Sequence, residues 1–142
     1  MEERQKLSRT FEKFERAFRK FEEVIKSPYL FEFLNEELII EISTKRFEYT
    51  FESLWKTLKE FLRVEGVICS TPLQCFKEAF KRGLIKEEDE SIFAQMIEKR
   101  NRIVHIYGLE EAKEIYEFIK KEEVYSALQN IYEKLKDTIK SS

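Results

Sequence analysis

Leu7, Phe11, Phe14, Phe18, Phe21 and Ile25 are spaced four, three, four, three and four residues apart, a period a strand cannot keep on one side. At 100° per residue the six form one apolar stripe along a helix. Between them lie Glu12, Lys13, Glu15, Arg16, Arg19 and Lys20, a solvated face with pairs such as Glu12 to Arg16 at i, i+4. Such a stripe must be covered by a coiled-coil or partner helix, or by the rest of its own chain. In 142 residues the second is the ordinary outcome. Ser27-Pro28 ends the helix, because proline disfavours the helical conformation in the residue before it.

The remainder has the same character. With only 3 glycines and 2 prolines there is too little turn chemistry for many short strands, and a few long helices are expected. Tyr29 to Leu38 reads as a short helical turn or an ordered loop. From about Glu36 a long helix runs to Val64 or Glu65 and stops at Gly66, with Phe47, Phe51, Leu54, Leu58, Phe61 and Leu62 on its buried face. Ser70-Thr71-Pro72 supplies a hydroxyl cap and a first-turn proline for a helix over Leu73 to Arg82, closed by Gly83. Glu87 to Glu90 places negative charge at the start of the next helix, where the dipole favours it. Two more helical stretches follow, Glu110 to Ile119 and Val124 to Ile139, the second continuing or restarting the first; Leu128, Ile131, Leu135 and Ile139 form its stripe. The fold class expected is all-α: an up-and-down antiparallel bundle of about five helices, residues 1–142 forming one domain without internal repeats.

Charge and cysteine content narrow the chemistry. A net charge of -2 gives no global attraction to nucleic acid, so RNA would need a local patch. Lys77, Lys81, Arg82, Lys86, Lys99, Arg100 and Arg102 are the candidates. Cys69 and Cys75 lack a zinc spacing. With neither a signal peptide nor an apolar run near membrane-spanning length, a cytoplasmic protein with both thiols reduced is expected. Abundant lysine and glutamate also match the composition of hyperthermophile proteins.

Arg100-Asn101-Arg102-Ile103-Val104-His105-Ile106-Tyr107 holds the single histidine of the chain. Arginine presents a planar fork suited to phosphate oxygens, imidazole can pass a proton near neutral pH, and a tyrosine hydroxyl can donate or be modified. The plainer reading has His105 at a helix C-terminus and Tyr107 in the core. Arg100 and His105 would diverge by roughly 140° on one straight helix, so for joint action the helix must end near His105 or two copies must meet. Glu48 and Glu52 share a face of the long helix, and Glu52–Lys56–Glu60 reads as a charged ladder. No histidine or aspartate stands beside the two carboxylates, which favours a salt-bridged face over a metal site.

Arg100, four residues, His105, one residue and Tyr107 resembles the R-x4-H-x-Y signature of the HEPN superfamily. Arg46-Phe47-Glu48-Tyr49-Thr50-Phe51-Glu52, Trp55-Lys56-Thr57-Leu58-Lys59, Pro72, Glu78-Ala79-Phe80, Gly83-Leu84-Ile85 and Met96 accompany it in an order resembling the branch of nucleotidyltransferase substrate-binding proteins. The likeness spans roughly residues 40 to 110. Leu73 stands where that branch usually carries arginine, which removes one anion contact.

The resemblance implies a minimal nucleotidyltransferase as partner, a homodimer, no cofactor and no metal. It offers two readings. In the first, the chain is a metal-independent endoribonuclease toxin, with Arg100 stabilising charge, His105 transferring protons and Asn101 and Tyr107 orienting them; adenylylation of Tyr107 neutralises it. In the second, the chain is a non-catalytic subunit that docks the nucleotidyltransferase and presents a substrate or nucleotide. Glu48, Glu52, Trp55 and Lys56 are implied as pocket-wall residues, and Lys77, Lys81, Arg82, Lys99 and Arg102 remain the candidate RNA patch.

Overall fold

The computed structural model describes residues 2–27, 29–105 and 108–141, residues 30 and 31 by backbone alone. Its helices are α1 (Glu2–Lys26), α2 (Leu30–Phe33, a single turn), α3 (Glu36–Val64), α4 (Pro72–Lys81), α5 (Glu90–Ile103), α6 (Leu109–Ile119) and α7 (Glu122–Lys140). A 3₁₀ turn over Glu87–Asp89 leads into α5. No strand occurs among the described residues, so the all-α bundle stands.

The helix ends follow local chemistry. Asn35 caps α3 by accepting the Leu38 N–H at 2.8 Å, and Thr71 caps α4 by accepting from Gln74 at 3.2 Å. Gly66 and Gly83 take φ of 85° and 78°, the left-handed region in which a side chain is strained. Around them the Val67 amide donates to the Leu62 carbonyl at 2.8 Å and the Leu84 amide to that of Ala79 at 3.0 Å, consuming carbonyls the helices leave open. A break at Lys120 and Lys121 makes α7 a restart rather than a continuation.

The aromatic stripe of α1 is covered by its own chain. Phe14, Phe18 and Phe21 are fully buried between α3 and α7. Phe21 meets Phe47 of α3, whereas Phe11, Phe14 and Phe18 surround Tyr132 of α7. The final member of the stripe is Val24 rather than Ile25, which is only partly buried. Lys6 reaches Glu60 while Arg46 reaches Lys20 and Glu23, so α1 and α3 run antiparallel. Lys26 to Glu122 and Glu15 to Tyr132 set α7 antiparallel to α1 in the same way. Phe51, Phe76 and Phe93 stack in sequence and tie α3 to α4 and α5.

The expectation of reduced thiols is overturned. Cys69 and Cys75 form a disulfide, with Cα atoms 5.3 Å apart. The α3–α4 connection turns back at Gly66 and brings Cys69, itself buried, against the face of α4 where Cys75 lies. Spacing along the chain excluded zinc but said nothing about this fold-back.

Candidate functional site

Helix α5 carries the motif arginine inward and then stops. It ends at Ile103, and the His105 amide donates to the Arg102 carbonyl at 2.9 Å in a closing turn. The requirement that the helix end near His105 is thus met. Val104 is 70% exposed, and His105 is exposed beside it. Ile106 and Tyr107 lie outside the described residues.

Arg100 is tied to the long helix. Its Nε donates to Glu52 Oε1 at 2.5 Å, and a second guanidinium nitrogen donates to Asn101 Oδ1 at 3.1 Å. The guanidinium carbon lies 6.0 Å from the ring centre of Phe51. Glu52 Oε2 accepts the Trp55 indole N–H at 3.0 Å. One carboxylate therefore fixes both the motif arginine and the sole tryptophan, each only partly exposed, where a charge-assisted bond is stronger than at an open surface. The resemblance implies Glu52 only as a pocket wall; its role as the partner of Arg100 links positions 48 residues apart and has no local signature.

These partners correct the ladder read along α3. Glu52 turns to Arg100 and Trp55, and Glu60 turns to Lys6 of α1 at 3.3 Å and Arg63 at 2.8 Å. Glu48 pairs with Lys45 at 3.1 Å. Lys56 is left exposed, without either neighbouring carboxylate. An i, i+4 pair of exposed side chains contributes only a few tenths of a kcal/mol, so tertiary partners displace it readily.

Of the cations on α4 and α5, Lys81 pairs with Glu78 at 3.5 Å. Lys99 lies over the Phe118 ring and near Glu98 at 3.8 Å. Arg102 donates to Glu114 of α6 at 3.2 Å; this bond raises the arginine pKa further and holds the Glu114 carboxyl below the usual range. Lys77 borders an apolar recess of about 270 Å³ with Leu73, Phe80 and Ile97. Arg82 is exposed just after α4. The structure does not gather Lys81, Lys99 and Arg102 into one open patch, because each has a carboxylate of its own.

Two recesses flank the end of the motif. One, of about 350 Å³, lies between Thr44 and Glu48 of α3, Ile103 and Ala112; the other, about 220 Å³, includes Gly108 and Leu109. Leu109 is 46% exposed. The Thr44 hydroxyl is buried and unpaired among the described residues.

A search of curated proteins returns no match. Residues 9–137 match the family model described as "Nucleotidyltransferase substrate binding protein like", which extends the likeness well beyond the motif region in both directions. Because that match takes in nearly the whole bundle, from the aromatic stripe of α1 to the last turns of α7, the chain belongs to that family.

Proposed function

We propose that this chain is the helical subunit of a nucleotidyltransferase pair, acting in the cytoplasm, and that it presents residues 104–109 to a minimal nucleotidyltransferase. The family description supports a nucleotidyltransferase partner. The observation that carries the reading is the end of α5: the helix stops at Ile103, and exposed Val104, His105 and Leu109 stand on both sides of Tyr107 beside two recesses. Exposed side chains before and after Tyr107 in the sequence suit contact with a partner's active site.

In the reaction proposed, the Tyr107 hydroxyl oxygen attacks the α-phosphorus of ATP. An O–P bond forms, the bond to the β,γ-pyrophosphate breaks, and the phenolic proton passes to solvent or a partner base. The phosphodiester left on Tyr107 adds negative charge two residues from His105. The Cys69–Cys75 bond fits a cytoplasmic protein if the source is a hyperthermophile, whose intracellular proteins are rich in disulfides.

A second reading, the endoribonuclease toxin, is favoured by the same helix end, which frees His105 from the divergence a continuous helix would impose. In it Arg100 exchanges Glu52 for a phosphate, and a homodimer supplies two His105 side chains as acid and base. Adenylylation of Tyr107 then neutralises the toxin.

Intact-mass spectrometry after co-expression with a neighbouring nucleotidyltransferase and ATP tests the first reading. Adenylyl adducts on the unaltered chain and none on Tyr107→Phe are expected; adducts at other residues would overturn it. For the second, His105→Ala and Arg100→Ala should each abolish RNA cleavage, and cleavage persisting in either would sink it.

A further inference from the structure

The groove between α1 and α3 carries charge that the family reading does not use. It is a recess of about 420 Å³ whose wall holds four lysines, Lys6, Lys13, Lys56 and Lys59, against two carboxylates. Both carboxylates are already occupied: Glu52 by Arg100 and Trp55, Glu60 by Lys6 and Arg63. Among the described residues Lys13 and Lys56 have no carboxylate partner. The recess adjoins a second one lined by Arg16, Lys20 and Arg46, and Tyr49 borders both. Arg46 to Lys59 spans thirteen residues of α3, so the basic track is about 20 Å long.

Aromatic surface lies within the track. Tyr49 is 58% exposed where the two recesses meet. Trp55 is held in place by Glu52, with the Lys59 ammonium 5.8 Å from its ring centre. Lysines without a carboxylate, Lys13 and Lys56, beside aromatic planes are what a single strand of nucleic acid requires: phosphates meet lysines and bases meet rings. An acidic peptide would use the cations and leave the rings without a role. The Thr10 and Ser53 hydroxyls spend their protons on backbone carbonyls of their own helices, so toward the groove they can only accept. A ribose 2′-hydroxyl can donate to them; deoxyribose cannot.

We propose that the α1–α3 groove binds single-stranded RNA, with backbone phosphates on Lys13, Lys56 and Lys59 and bases against Tyr49 and Trp55. This goes beyond the proposed function: the groove uses neither His105 nor Tyr107, and its free charge rests on the Glu52–Arg100 pair staying closed. It calls on none of the lysines of α4 and α5, although Arg100 of α5 reaches the groove wall at Glu52.

Because Trp55 is the only tryptophan, its fluorescence reports the groove directly. The full chain is titrated with a short oligouridylate at low and at physiological salt. Fluorescence quenching and anisotropy of a labelled oligonucleotide should saturate together. Lys13→Glu combined with Lys56→Glu should weaken binding roughly ten-fold or more and flatten the salt dependence by about 0.7 for each phosphate no longer held. Tyr49→Ala should cost roughly ten-fold, and Lys134→Glu on α7 should change nothing. Thermal melts matching the unaltered chain show that the variants fold. Unchanged affinity in the double variant, or saturation without a change in Trp55 fluorescence, would overturn the proposal. Equal binding of oligodeoxythymidylate would remove the ribose contacts and with them the assignment to RNA. Equal binding of polyglutamate would make the groove a protein-docking surface, and equal quenching by ATP would make it a nucleotide pocket; either result overturns the strand assignment.

Discussion

Two tyrosines of α7 show how one side chain can join helices at a partly buried seam. Tyr125 donates its hydroxyl to Glu22, and Tyr132 donates to Glu15, each reaching back to α1. Burial, reinforced by the Glu22 carboxylate, pushes the Tyr125 phenol up to about 12, and burial with Glu15 raises Tyr132 as well. In the unfolded chain both phenols ionise near 10. The folded state therefore keeps protons that the unfolded state loses, and the stabilisation is fully present below pH 10. It disappears as pH rises from about 10 to about 12. Urea denaturation midpoints measured across that window should fall steeply. Tyr125→Phe should make the fall shallower, and an unchanged slope would refute this assignment. At the same scale, the partnership of Glu52 with Arg100 was not legible in the sequence. Glu52 has Glu48 and Lys56 as helical neighbours at i±4, and nothing along the chain marks Arg100 as its counter-ion.

Helices and their ends were the more readable part. Asn35, Thr71, Gly66 and Gly83 act through backbone groups within a few residues, so the starts of α3 and α4 and their closing glycines could be placed from sequence. The α3–α4 connection is the exception, since its disulfide depends on how the loop folds back over α4. Closing a ring across six positions removes disorder from the unfolded chain and contributes about 2 kcal/mol on the chain-entropy view. Reduction, or Cys69→Ser with Cys75→Ala, should lower stability by about that amount in guanidinium titrations. No difference between oxidised and reduced protein would show that the bond constrains nothing. The end of α5 belongs to this scale too. The apolar pattern before the motif marked a helix, but where the helix stopped relative to His105 was set by the turn at Arg102.

Over the whole molecule, one aromatic core runs from Phe11 through Tyr132 on one side and from Phe21 through Phe47, Phe51 and Phe76 to Phe93 on the other. Phe18 is fully buried where α1 and α7 meet, in ring contact with Phe14, Tyr125 and Tyr132. Phe18→Ala should therefore cost about 3–5 kcal/mol, a large share of a typical domain's stability. A thermal midpoint within a few degrees of the unaltered chain's would show that this seam does not hold the bundle. Charge also has to be read at this scale. A chain of net charge -2 presents a basic groove because Glu52 is paired with Arg100 and Glu60 with Lys6 and Arg63, which leaves Lys13 and Lys56 without a carboxylate among the described residues. Lys13 and Lys56 lie on different helices, and only the antiparallel pairing of α1 with α3 lines them up. By itself the sequence determined the helical class, the buried stripes, the caps and the motif, because each of these is settled within one or two helical turns. The tertiary structure alone decided which carboxylate holds Arg100, that Cys69 meets Cys75 and where the free cations collect. Those outcomes are pairings between segments remote along the chain, and periodicity carries no information about them.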